Sequence, residues 1–120
     1  MTIRAQAIVA VTTVLLVTGD SMTAADTMSA AKAQVEFGIA VAQKGLWREA
    51  VYRWERAVDL DPSYAAAWNN LGIAYEHAGQ FDKARDAYER ALDLEPSNML
   101  IQQNYDLFRE INDRVNPSDR

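Results

Sequence analysis

The sequence predicts an all-α fold: a short α-solenoid of two helical hairpins followed by a C-terminal capping helix. The first observation is a repeat, because residues 31–64 align without a gap on residues 65–98 and share 14 of 34 positions. The second is that apolar residues in both segments recur at the spacing of an α-helix. The third is that glycine and proline stand where these helices would end. Self-similarity at a fixed period of this size is typical of solenoids.

The second of these units predicts one hairpin in detail. Trp68, Leu71 and Tyr75 occupy positions i, i+3 and i+7, which form one stripe of a helix. Gly79 follows this stripe and suits a left-handed helix end. A second stripe comprises Phe81, Ala84, Tyr88 and Ala91. Pro96 ends the second helix, because proline lacks the N–H that a helix needs. Helices joined by so short a turn are antiparallel neighbours.

The first unit repeats this pattern with some substitutions. We expect its helices to run from about Ala30 to Lys44 and from about Trp47 to Leu60. Phe37 and Val41 fall on the stripe of the first helix that we expect to be buried. Residues 27–29 supply the candidates for its N-cap, since threonine and serine are preferred there.

A fifth helix is expected after Pro96-Ser97-Asn98, and it differs from the repeats before it. Its packed face is formed by Ile101, Tyr105, Phe108 and Val115. Asp106 stands where Gly38 and Gly72 stand in the two units, and a charge does not fit where a partner helix packs backbone to backbone. We therefore interpret residues 99–115 as a C-terminal cap, followed by a tail at 116–120. Terminal units of solenoids need a polar outer face, and Asp106 contributes to one here.

The first 25 residues do not belong to the repeat and have the layout of a secretory signal peptide. One early arginine precedes the uncharged stretch Ala5–Val17, and small residues follow it. Thirteen helical residues span roughly 20 Å, which is short of the roughly 30 Å core of a bilayer. A cleaved leader is therefore favoured, with cleavage expected after Gly19 or Ala25. The alternative is an uncleaved membrane anchor at residues 3–19.

Composition excludes several classes of function. The net charge of −5 disfavours nucleic-acid binding, which usually needs a basic patch. The chain has no cysteine, which excludes disulfides, thiolate metal sites and a cysteine nucleophile. His77 is the only histidine, so no histidine pair can hold a metal ion. No catalytic constellation is evident, and we expect neither an enzyme nor a cofactor.

The second unit closely resembles a tetratricopeptide repeat. The residues at the signature positions of that family are Trp68, Leu71, Gly72, Tyr75, Ala84, Tyr88, Ala91 and Pro96. The first unit departs at two of these positions, where Gln34 and Val41 replace the tryptophan and the tyrosine. The resemblance covers Ala31 to Asn98 firmly and the following helix loosely.

The resemblance implies a concave groove, lined by the first helix of each repeat, that takes peptides or partner helices. By position, the residues expected to form it are Lys32, Val35, Ile39, Asn69, Asn70, Ile73, His77, Leu100, Gln103, Leu107 and Ile111. Family members that clamp a terminal carboxylate use lysine, asparagine and arginine at certain of these places. Only Asn70 matches that set here, and the groove is unexpectedly apolar. Some of these side chains could instead fill gaps between repeats.

The sequence thus predicts a repeat domain at 31–115 that works as an exported adaptor or scaffold, in a bacterial periplasm or outside the cell. Its partner is expected to be a protein or peptide, bound as an amphipathic helix or an extended apolar segment. Two alternatives stay open: a chaperone-like holder of apolar segments in secretion or envelope assembly, and a non-catalytic subunit of an enzyme complex. Because so few helices bury a small core, we also expect weak self-association through the open end or the groove.

Overall fold

The computed structural model describes residues 21–115, which form five helices. They are α1 (Ala24–Gln43), α2 (Trp47–Leu60), α3 (Ala65–His77), α4 (Phe81–Leu94) and α5 (Met99–Val115). The first four pair as two hairpins, and α3 also packs against α2 of the preceding hairpin. The last helix, α5, packs on α4 and α3 and so covers the second hairpin. This arrangement confirms the predicted all-α solenoid with a terminal helix.

Both hairpin turns use a glycine in the left-handed region, as the repeat predicts. Gly45 has a φ of 78° and Gly79 a φ of 73°. After each glycine the chain turns back, and the Gln80 N–H donates to the Tyr75 carbonyl at 2.8 Å. These bonds satisfy carbonyl groups that the end of a helix leaves free. The two turns therefore have the same geometry, which gives the two hairpins the same shape.

The first helix begins earlier than expected. It starts at Ala24 rather than about Ala30, so the expectation of an N-cap at 27–29 is wrong. Thr23 is the N-cap: its hydroxyl accepts from the Asp26 N–H at 3.1 Å, and the Asp26 carboxylate accepts from the Thr23 N–H at 3.1 Å. This reciprocal pair is a capping box. Residues 1–20 of the predicted leader and the predicted tail lie outside the described residues.

Two glycines let the helices of each hairpin approach closely. A Cβ atom built on Gly38 would lie 2.3 Å from the Trp54 indole nitrogen, and one on Gly72 would lie 2.7 Å from the Tyr88 ring. The Trp54 indole N–H donates to the Val35 carbonyl at 3.1 Å, so its buried polar group is satisfied. One glycine and one aromatic ring thus form the centre of each hairpin.

The packed face of α5 is shorter than predicted. Ile101, Phe108 and Asn112 are buried on it, but Val115 is exposed, and its expected place in the packed face is wrong. The ring of Phe108 lies against Tyr88, with centroids 5.5 Å apart. The aromatic contact, rather than the end of the helix, therefore anchors α5 to the second hairpin.

Phe37 is also not buried as predicted, and its side chain is 48% exposed. Its counterpart one repeat later, Leu71, is buried because it packs on the residues of the first hairpin. Among the described residues no helix precedes α1 to cover Phe37 in the same way. The Arg53 guanidinium lies 4.3 Å above its ring instead. Within residues 21–115, no helix is both long enough and apolar enough to cross a membrane.

Candidate partner-binding groove

An aliphatic row crosses α1, α3 and α5, the first helix of each unit, which we call the inner helices. Ile39 on α1, Ile73 on α3 and Leu107 on α5 are separated by 34 residues, so they occupy the same place in successive units. Ile39 is 42% exposed, Ile73 is half-buried and Leu107 is 57% exposed. We call these three residues the aliphatic row. Aliphatic side chains aligned and open to solvent on neighbouring helices form a surface that a partner could cover.

A groove of about 330 Å³ lies between α1 and α3, on the first two residues of this row. Its lining residues are Ile39, Ala42, Gln43, Trp47, Trp54, Asn70 and Ile73. Five of these side chains are apolar and the other two are amides. The inner helices supply the walls, while Trp47 and Trp54 come from α2 behind them. The structure therefore combines an apolar floor with two hydrogen-bonding side chains.

The apolar surface widens at α5. Leu100, Leu107 and Ile111 are all exposed there. They are spaced at i, i+7 and i+11, so they follow one face of the helix over roughly 16 Å, at about 1.5 Å per residue. The buried residues Ile101 and Phe108 lie on a different face. Helix α5 therefore carries two apolar stripes, of which one is left open.

Two residues predicted to line the groove are not accessible. Val35 is 4% exposed and Asn69 is 6% exposed, so these two predictions are wrong. Val35 belongs to the core of the first hairpin. The Asn69 side-chain oxygen instead accepts a hydrogen bond from the Asn104 amide at 3.1 Å, which links α3 to α5. Both residues are one turn away from the aliphatic row and face neighbouring helices.

The remaining predicted residues are at least partly accessible. Lys32, His77 and Gln103 are exposed and Asn70 is half-buried. The His77 ring stacks on Trp47, with centroids 4.4 Å apart, at the edge of the groove. The structure brings Ile39, Asn70 and Ile73 together in one cavity.

Sequence reasoning missed the two tryptophans that line the groove. Trp47 and Trp54 belong to the second helix of the first hairpin, whereas the resemblance implies a groove lined by first helices alone. Part of the signal was present in the sequence: Gly38 has no side chain, and the Trp54 ring packs directly against the α1 backbone there.

The carboxylates near the groove are already engaged. Glu36 lies 3.9 Å from Lys32, and Glu110 pairs with Arg114 four residues later on α5. Glu76 accepts a hydrogen bond from the Tyr88 hydroxyl at 2.9 Å. Burial raises the pKa of Tyr88 well above its ordinary value, and the hydrogen bond to Glu76 raises it further. The groove lining is uncharged, and the carboxylates of Glu36, Glu76 and Glu110 are each engaged within the chain.

The described residues offer no cluster of three or more histidine, aspartate and glutamate side chains that could hold a metal ion. The arrangement suits contact with a partner through apolar surface and amides.

The comparisons with known proteins agree with the fold. The family model described as tetratricopeptide repeat matches residues 65–98, and a second one, described as TPR repeat, matches residues 38–79. Together they cover just over half of the chain. This chain belongs to the tetratricopeptide repeat family, whose repeats generally mediate protein–protein interactions and are typically non-catalytic. No curated protein matches the chain significantly.

Proposed function

We propose that this protein is an exported adaptor that holds a segment of a partner protein against its inner helices. The observation that carries the proposal is the aliphatic row of Ile39, Ile73 and Leu107, which continues from one inner helix to the next and is open to solvent. Exposed contiguous apolar surface usually marks an interaction site. The groove between α1 and α3 adds depth to this surface. A partner chain laid across the row would remove all three side chains from water.

The proposal of export rests on the leader-like segment. The stretch Ala5–Val17 has no charge and precedes small residues, as signal peptides do. Sequencing the N-terminus of the protein purified from its own cells tests this part. A chain that begins at Asp20 or Asp26 supports export with cleavage, and a chain that retains Met1 contradicts cleavage.

Binding along the aliphatic row is tested with a charge placed on its α5 residue. The protein is used to capture a partner from its own cells, and the affinity of the purified partner is then measured by calorimetry. Leu107→Asp is expected to weaken binding at least about tenfold, which corresponds to about 1.4 kcal/mol. A buried carboxylate without a counter-ion would cost at least that much.

The matched control for this experiment is Tyr52→Asp. Tyr52 is 52% exposed, close to the 57% of Leu107, but it lies on the outer helix α2 and does not line the groove. Its replacement is expected to leave the affinity unchanged. If the Leu107→Asp protein binds as tightly as the wild type, the aliphatic row is not the binding site.

The open stripe of α5 favours a second candidate, a chaperone-like holder of apolar segments. Leu100, Leu107 and Ile111 form an exposed aliphatic surface, and such a surface discriminates little between apolar sequences. An adaptor binds one sequence tightly, whereas a holder binds many sequences weakly. A peptide array probed with the purified protein separates the two by the breadth of binding.

A further inference from the structure

The lining of the groove shows what kind of segment it suits. None of its seven lining residues carries a charge. A charged side chain or a terminal carboxylate placed there would leave water without meeting a counter-ion, and this is strongly unfavourable. On the inner helices, Lys32 and Arg114 are already paired with Glu36 and Glu110. Charge complementarity therefore favours an uncharged segment.

The two amides distinguish an extended segment from a helix. Gln43 and Asn70 each offer two N–H donors and one carbonyl acceptor. A bound helix has already satisfied its backbone groups internally, so it has little to exchange with them. An extended chain keeps its backbone N–H and C=O groups free, and amide side chains can bond to both. The amides therefore suit a ligand whose backbone is exposed.

The aliphatic row sets the spacing of the ligand's side chains. Packed helices lie on the order of 10 Å apart, and an extended polyproline-type chain advances about 3.1 Å per residue. The distance from one residue of the row to the next thus corresponds to about three residues of the bound chain. A polyproline-type chain has three residues per turn, so every third side chain points to the same side. Such a chain can place one side chain on each of Ile39, Ile73 and Leu107.

We propose that the ligand of this groove is an extended, uncharged segment from the interior of a partner chain, with an aliphatic side chain at every third residue. This inference rests on the proposed function of the groove and adds the chemistry of the partner to it. It excludes recognition through a terminal carboxylate. It also distinguishes the site from one that takes an amphipathic helix, because the backbone of a helix is already bonded internally and offers its N–H and C=O groups to neither amide.

The test uses synthetic peptides and the protein in the form that its own cells accumulate. The first peptide is acetylated and amidated, with leucine at every third position and serine, threonine and glutamine elsewhere. The second has the same composition with leucine at alternate positions. The third repeats the first sequence but ends in aspartate with a free carboxylate, and the fourth is an amphipathic helical peptide. Binding is followed by the shifts of backbone amide signals in ¹⁵N–¹H NMR spectra.

The first peptide is expected to shift the signals of Ile39, Asn70 and Ile73 and to bind at least about tenfold more tightly than the other three. Asn70→Leu is expected to weaken it by removing one amide, and Ile39→Asp by adding a charge. Tyr52→Asp, on the outer helix, is expected to leave it unchanged.

Each contrary result has a separate meaning. Tighter binding in the groove by the carboxylate-ended or the helical peptide overturns this inference while the groove keeps its proposed function. Equal binding of the first two peptides overturns the spacing. If no peptide shifts the signals of groove residues, both this inference and the proposed function of the groove are contradicted. Shifts of the same signals with protein concentration alone would identify a second copy as the occupant and overturn the inference.

Discussion

At the scale of single residues, each hairpin depends on one glycine that faces one aromatic ring. Gly38 faces Trp54 and Gly72 faces Tyr88, at distances that leave no room for a methyl group. Glycine in the middle of a helix is ordinarily unfavourable by about 0.5–1 kcal/mol relative to alanine. Here the close approach of the helices reverses that preference, because an added Cβ would displace a buried ring.

We therefore expect Gly72→Ala to destabilise the protein by about 1–3 kcal/mol, the usual cost of overpacking a core. The measurement is urea unfolding followed by circular dichroism. The matched background is Tyr88→Leu, in which the ring is gone and the added methyl group finds space. The explanation fails if Gly72→Ala has the same effect in both backgrounds.

Three tyrosines make the same kind of hydrogen bond between helices, in which the phenol donates to a glutamate on a neighbouring helix. The hydroxyls of Tyr75, Tyr88 and Tyr105 donate to Glu55, Glu76 and Glu89 at 2.7–2.9 Å. Burial is the main cause that raises the pKa of each phenol, and the bond to glutamate raises it further. For Tyr105 the pKa rises to about 12. The folded protein therefore holds these protons more tightly than the unfolded chain does.

This predicts that stability falls at alkaline pH. An unfolded tyrosine loses its proton near pH 10, so the stabilisation from the raised pKa values is fully present below pH 10. It is lost progressively as the pH rises toward the folded values, from about 10 to 12 for Tyr105. Urea unfolding across this range should show a decreasing free energy of unfolding. In a protein with phenylalanine at all three positions the decrease should be smaller, and an equal decrease would show that other groups cause it.

At the scale of elements, the start of α1 shows how a local signal extends a helix. The repeat itself accounts for residues from 31 onward, yet α1 begins at Ala24. Thr23 and Asp26 cap each other across the first turn, which satisfies N–H groups that would otherwise be free. The two added turns thus depend on the cap and not on packing, since most of their residues are exposed.

We expect Thr23→Ala to fray the first turns of α1 without unfolding the hairpins. Amide hydrogen exchange measured by NMR should become faster at residues 24–30 and stay unchanged in α3. Ser29→Ala is the matched control, because Ser29 lies inside the helix. If Ser29→Ala frays α1 as much as Thr23→Ala does, the cap is not where the structure places it. The same logic applies to leader cleavage, since a chain beginning at Asp26 would lack Thr23.

At the scale of the whole molecule, the two end faces of the described solenoid differ. The end face formed by α5 carries three exposed polar residues, Gln103, Asp106 and Glu110. The end face formed by α1 carries Phe37 between the exposed Ala33 and Ala40. The equivalent residues of α3 are buried: Leu71, Ala67 and Ala74. Only the C-terminal face therefore has the polar surface that ends a solenoid.

We expect the protein to self-associate weakly at high concentration through the face of α1 around Phe37. Sedimentation velocity over a range of concentrations should show a shift that Phe37→Ser removes and Tyr52→Ser does not, since the two aromatic side chains have similar exposure. If Leu107→Asp removes the shift instead, the copies meet through the aliphatic row. A strictly monomeric profile would contradict the prediction altogether.

Most of the helical framework could be predicted, because it depends on short-range chemistry. The turns at Gly45 and Gly79 and the bounds of α2 follow from glycine conformation and apolar spacing within a few residues. The start of α1 was missed because threonine and serine offer caps at several positions, and the sequence does not rank them. The groove was predicted only in part, because a helix shows its apolar stripes but not which of them a neighbour covers.

By itself, the sequence determined that this protein is a two-hairpin solenoid with an added helix, since the 34-residue period and the glycines specify each hairpin locally. Only the tertiary structure decided that Val35 and Asn69 are buried, that Phe37 is open and that two tryptophans of α2 reach the groove. The physical reason is that the burial of a side chain depends on the contact between two helices and not on either helix alone. Each repeat carries the same faces, and it is the presence or absence of the next helix that turns a face into core or into surface.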